Sequence, residues 1–270
     1  MSAIPPLDSR RAVFVGLRAA LGAGQRSASP EAFTLAEESV VRSGFRTVDV
    51  ALGGGFPRGA IATLEGAPGS GRSAVAARLL ATATTNGGLG ALIETPAGPE
   101  GAFYPPALAA AGINLSRLLI VHANGPSDVA RAADIVLRSA AFGVVVIPMV
   151  GLKATAWTRL VSLTHRANAV FVVLGEAAPN ELRYFASLRV HVRAANVRFA
   201  GNAGLFCTLA GIGSEATVLK HKRAAPGKHA HFVCTTFETG APLAAMRERP
   251  CIQDLHDLGP FVRVSGHSQF

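Results

Sequence analysis

The chain has 270 residues, 49% of them apolar, enough to build a packed core and too many for a disordered chain. Against 17 acidic residues it carries 26 basic ones, a net charge of +9 that favours an anionic partner such as nucleic acid or an acidic protein face. Cys207, Cys234 and Cys251 stand too far apart for a zinc-ligand pair, and no apolar run approaches the ~20 residues of a membrane helix. The expectation is a soluble cytoplasmic protein with no metal centre.

Along the chain, residues 9–21 place Val13, Leu17 and Leu21 at helical spacing with arginines off that stripe, which predicts a short amphipathic helix. Residues 22–43 are rich in Gly, Ser and Ala and read as a tether. From Gly44 the grammar changes. "GAIATLEG" predicts a strand running into a glycine loop, and "RSAVAARLLATATT" the helix after it. "GLGALIET" is a second strand, "YPPALAAAG" and "PSDVARAADIVLRSA" are helices, and "FGVVVIPMV" is a fully apolar buried strand. The helix "ATAWTRLVSLTHRAN" and the strand "AVFVVLGE" follow, with Trp157 expected in the core. Strands alternating with helices predict a mostly parallel sheet covered on both faces. After residue 186, "RVHVRAA", "GLFCTLAG", "EATVLKHKR" and "HAHFVCTTF" alternate in strand fashion and predict an antiparallel extension. The expected divisions are an N-terminal helix and tether over 1–43, a core over 44–240 and a tail over 241–270.

The stretch "LEGAPGSGRSAVAARLL" spells Gly66, four residues, Gly71, then a cation and a hydroxyl. Phosphate loops of this form work because glycines free successive backbone N–H groups to face phosphate oxygens at a helix N-terminus. Gly66, Gly69 and Gly71 supply that backbone, and Ser73 stands where a hydroxyl ligand of Mg²⁺ belongs. Arg72 replaces the usual lysine with a wider, planar cation that cannot act as the same point charge. ATP with Mg²⁺ is therefore the candidate cofactor, without assurance that either binds. Hydrolysis also needs an acid at the end of a buried strand. Pro148 stands at that place in "FGVVVIPMV", and Glu94, at the end of the neighbouring strand, is the candidate catalytic base.

Several segments together resemble the RecA recombinase family: "SGFRTVDVALGGGFPRGAIATLEGAPGSGRS" the family's entry and nucleotide loop, "RYFASLRVHVR" a later helix and strand, and "GSEATVLKHKRAAPGKHAHF" its late hairpin. The resemblance covers roughly residues 43 to 240. It implies a RecA-like core and gives Lys220 and Lys222 the role of the family's hairpin lysines, which act at a subunit interface on a neighbour's ATP. It also marks departures. The family's loop lysine matches Arg72, its metal aspartate Pro148 and its catalytic glutamate Pro96, and no glutamine stands near Gly175 or Glu176 to sense a γ-phosphate. Both loops that hold DNA in the family are short here, which argues against a strand-exchange recombinase.

Such erosion is similar to the ImuA branch, and "FYPPALAAAGINLSRLLIVHANGPSDVARAADIVLRSAAFGVVV" looks like that branch. The resemblance implies an accessory protein of translesion synthesis in the damage response, with RecA or an ImuB-like polymerase accessory protein as partner and weak or vestigial nucleotide binding. One alternative is a DNA-stimulated ATPase using Arg72, Ser73 and Glu94; another is a basic DNA-binding regulator. Arg183, Arg189, Arg193, Arg198 and Lys228 form the candidate DNA surface, by sequence-independent electrostatics alone because few aromatics accompany them.

Overall fold

The computed structural model describes residues 39–98, 100–202 and 206–235, with side chains described outside 198–202, 206–210 and 235. The expected helix over 9–21, most of the tether and the tail over 241–270 lie outside the described residues, as does the side chain of Arg198.

The first described strand, β1 (Val40–Val41), already lies within the stretch read as tether. It pairs antiparallel with β2 (Phe56–Pro57) and is buried. Between them α1 (Arg46–Leu52) ends where Gly53 adopts the left-handed conformation, the usual glycine stop. Strand β3 (Ala60–Glu65) leads through the glycine loop into α2 (Arg72–Thr85), whose Val75, Ala76, Leu79 and Leu80 recur at helical spacing and are buried. Strand β4 (Leu89–Glu94), α3 (Pro105–Ala110), β5 (Leu118–His122), α4 (Pro126–Arg138), β6 (Phe142–Pro148), α5 (Ala154–Ala167), β7 (Val170–Gly175) and α6 (Asn180–Phe185) follow. The chain then runs through β8 (Leu188–Asn202), β9 (Phe206–His221) and β10 (His229–Thr235).

The main sheet has the order β10-β9-β8-β3-β7-β6-β4-β5. The six strands from β8 to β5 are parallel, and β9 and β10 extend the sheet antiparallel. This is the expected α/β architecture. Alternation along the inner strands feeds two apolar layers. Ala62, Leu64, Val144 and Val146 face α1 and α2, whereas Ile61, Val145 and Ile147 face α4, α5 and α6. Strands β6 and β7 are buried on both faces, which is why they read as unbroken apolar runs. Trp157 is fully buried in the second layer, as expected.

Two readings change. Strand β5 was not predicted as a strand. It is a short sheet edge with a half-exposed pattern, so its apolar signal is diluted. The segments "GLFCTLAG" and "EATVLKHKR" are one continuous strand, β9, because Gly211 and Gly213 stay in the ladder opposite β8 and β10 and do not break it.

Candidate nucleotide loop and basic surface

Glu65 closes β3 and the glycine loop begins at once. Gly66 donates its N–H to the carbonyls of Gly175 and Glu176, at 3.2 and 3.0 Å, and a Cβ on it would lie 2.1 Å from the Val192 carbonyl oxygen. At Gly71, φ is +98°, and a Cβ there would lie 2.6 Å from the Ser214 hydroxyl. Both glycines are thus demanded by close packing against β8 and β9. Within the loop, the Ser70 N–H donates back to the Ala67 carbonyl at 3.1 Å, and the Arg72 N–H leans on the Ser70 hydroxyl at 3.4 Å. Pro68 has no N–H to offer. Ser73 is exposed, so its hydroxyl remains open to solvent.

The Arg72 side chain does not point outward. Only 5% of it is exposed, and Nη2 donates to Glu100 Oε2 at 2.6 Å, while Nε and Nη1 are buried without hydrogen-bond partners. Glu100 is presented by a tight loop after β4, pinned by a bridge between Thr95 and Gly101 and by N–H donations from Gly98 to Thr95 and from Gly101 to Gly98. An internal carboxylate therefore takes the anion position that a phosphate oxygen would take beside the loop cation.

Glu94 is also committed. One carboxylate oxygen accepts the Phe103 N–H at 2.8 Å, and the other lies 2.9 Å from His122 Nε2 on β5. It ties β4 to its edge neighbour, and both oxygens are engaged. Glu94, Glu100 and Pro148 border a cavity of about 10 Å³, barely the space of one water. Met149 fills the end of β7, packed so closely on Gly175 that a Cβ there would lie 2.4 Å from it. These residues do not fit a hydrolytic Mg·ATP site. A serine hydroxyl remains, but a proline stands where the strand-end acid would be, and Glu94 is held by Phe103 and His122.

Of the hairpin lysines, Lys220 donates to the carbonyls of Arg183 and Tyr184 at 2.7 and 3.3 Å and so caps the C-terminus of α6. Burial, together with the charges of Lys222 and Arg189, holds its ammonium below the usual lysine pKa. Lys222 is exposed. The candidate DNA surface is not one open patch. Arg189 is 15% exposed and forks onto Glu65 at 2.8 and 2.9 Å, which makes it half of a core ion pair. Arg193 pairs with Glu215, whose pKa is lowered first by the hydrogen bond from His229. Arg183 bonds the Ala178 carbonyl at 2.6 Å, leaving Lys228 with no side-chain partner among the described residues.

Sequence reasoning missed Glu65 and Glu100. Burial opposes the charge on Glu65, but the Arg189 fork, the Ala178 N–H and the Thr63 hydroxyl outweigh it and hold the carboxyl below its usual pKa. An acid ending an otherwise apolar inner strand was the signal for Glu65. Nothing local marks Glu100, which is paired only through the fold. Among the described residues no group of His, Cys, Asp or Glu is arranged to hold a metal, and no helix is long and apolar enough to cross a membrane.

A doubly covered, mostly parallel sheet whose first inner strand runs through a glycine loop into a helix is a RecA-like α/β fold. The model of the RecA N-terminal domain matches residues 31–156. Protein RecA of Picosynechococcus sp. is 27% identical over 231 residues, covering 72% of this chain and 64% of that protein. Protein RecA of Nostoc punctiforme is 36% identical over 110 residues, 41% of this chain and 30% of that protein. The match with the first of these relatives thus spans just under two thirds of its length. The crystal structure of the RadB recombinase shares the fold, with a TM-score of 0.56 and 18% identity over 73% of this chain and 96% of that one. Together the matches support a place in the RecA-like recombinase superfamily.

Proposed function

We propose that this chain is a RecA-like accessory protein of DNA-damage tolerance, of the ImuA type. It acts in translesion synthesis through protein contacts with RecA or an ImuB-like polymerase accessory protein, and its nucleotide loop is vestigial. The observation that carries this reading is the buried Arg72–Glu100 pair, which neutralises the loop cation from within the chain. Pro148 supports it, since phosphoryl transfer depends on a metal clamp, and a proline at the strand end offers the metal no side-chain ligand. Tyr184, 77% exposed beside the Lys220-capped end of α6, supports a role in contacts with another protein.

The test is ATP turnover by the purified chain with Mg²⁺, with and without single-stranded DNA, beside an Arg72→Ala control. The expected result is no turnover above that control in either condition. Turnover that depends on Arg72 and Ser73 would replace the accessory reading with a DNA-stimulated ATPase. Direct association with purified RecA or an ImuB-like protein is the positive arm, and association with neither would count against the reading.

A further inference from the structure

Within the glycine loop the backbone and the Arg72 side chain are in opposite states. The backbone is open. Ala67, Pro68, Gly69 and Ser73 are exposed, and a Cβ on Gly69 would meet nothing within 4 Å. Among the described residues the N–H groups of Ala67, Gly69 and Gly71 donate to no acceptor. Free N–H groups ahead of a 14-residue helix leave the positive end of its dipole turned to solvent.

The cation beside them is closed off, and by a contact that underuses it. Arg72 gives Glu100 one hydrogen bond, from Nη2 to Oε2, while its buried Nε and Nη1 meet no partner. Arg189 shows the fuller geometry, two bonds to the two oxygens of Glu65. With a single bond and 5% of its side chain exposed, the desolvation of Arg72 is only partly offset. Glu100 has no second partner among the described residues. The turn that presents Glu100 is nevertheless closely built. Gly98 donates its N–H to the Thr95 carbonyl at 2.7 Å, and Gly101 donates to the Gly98 carbonyl at 3.0 Å. A Cβ on Gly98 would lie 2.4 Å from the Thr95 hydroxyl, and φ at Gly101 is +67°, so both folds of the turn require glycine. Its exit is tied down by the Phe103 N–H on Glu94.

We propose that the turn from Thr95 to Gly101 is an autoinhibitory strap, in which Glu100 is an internal ligand that engages Arg72 in place of an external anion. What shuts the glycine loop is then one side chain, and not the loss of its backbone cradle. The inference rests on the reading above, in which the loop of the parent chain is closed. An anion with several oxygens would satisfy the Arg72 donors that Glu100 leaves unmet together with the free loop N–H groups, but to enter it must oust a carboxylate of its own sign. With Pro148 in place of a strand-end acid, release of the strap restores binding without hydrolysis.

The experiment titrates pyrophosphate by calorimetry, at physiological salt, into the full parent chain, Glu100→Gln and Arg72→Met/Glu100→Gln. Glutamine keeps the shape of Glu100 and removes its charge. Glu100→Gln should bind pyrophosphate about tenfold or more tightly than the parent, with amide shifts at Gly69, Gly71 and Ser73, and the double variant should lose that gain. Because Glu100→Gln strands a buried cation, it should also unfold at a lower temperature than the parent, and pyrophosphate should restore the difference. That restoration reports on the strap even if the variant folds poorly by itself. Equal affinity in parent and Glu100→Gln, a gain that survives the loss of Arg72, or pyrophosphate that neither binds nor stabilises Glu100→Gln would each overturn the inference. Failure of the accessory reading shows separately, as ATP turnover by the parent chain.

Discussion

A guanidinium with 5% of its side chain in contact with solvent needs a nearby anion, and Glu100 supplies it to Arg72. Removing one partner of such a pair leaves a buried, uncompensated charge. Glu100→Ala is therefore expected to cost about 3–5 kcal/mol in urea unfolding, while Arg72→Met/Glu100→Ala, which removes both charges, recovers most of the loss. A single-variant cost below about 1 kcal/mol would mean that the pair is solvated and closes nothing. Glu65 makes the complementary case. Its folded pKa is depressed below the ordinary glutamate value, so its stabilisation is present above that value and is lost as pH falls through the folded pKa. Glu65→Gln should unfold more easily at neutral pH and show a flatter loss of stability in acid than the parent chain. Parallel acid limbs in the two proteins would remove Glu65 from the account.

At the scale of the element, the loop between β3 and α2 is held by packing as much as by any ligand. Gly66 backs onto the Val192 carbonyl of β8, which cannot retreat without distorting the ladder, whereas a Cβ on Gly69 would meet nothing within 4 Å. Gly66→Ala should therefore cost about 3 kcal/mol or more, through overpacking against backbone. Gly69→Ala should cost about 1 kcal/mol, the strain of a positive φ. Equal costs in thermal unfolding would mean that the loop is not wedged against β8. The β8–β9 ladder makes the same point about glycine. Read along the chain, Gly211 and Gly213 look like breaks, yet a Cβ on Gly211 would lie 2.8 Å from the Cys234 carbonyl, so glycine there lets neighbouring strands close.

At the scale of the whole molecule, the two ends of the parallel strands carry opposite arrangements of charge. At the loop end the cations Arg72 and Arg189 are each paired with a glutamate, and at the far end Arg166, Lys222 and Arg223 line one cavity without an acid. The alternation of strand and helix and the mostly parallel sheet were legible in the sequence, because hydrophobic period reports which faces are buried whatever the neighbour turns out to be, whereas the strand order was not. The loop glycines and the loss of a strand-end acid at Pro148 were legible too, since these follow from local order. By itself the sequence determined a RecA-like α/β core with an altered phosphate loop. Only the tertiary structure decided what each charge does: that Arg72 meets Glu100, 28 residues away, that Arg189 is a core partner of Glu65 across 124 residues, and that Lys220 caps α6. The reason is physical. Apolar burial is non-directional and can be read from periodicity, whereas an ion pair depends on two groups arriving within about 3 Å, a distance that only the packed sheet sets.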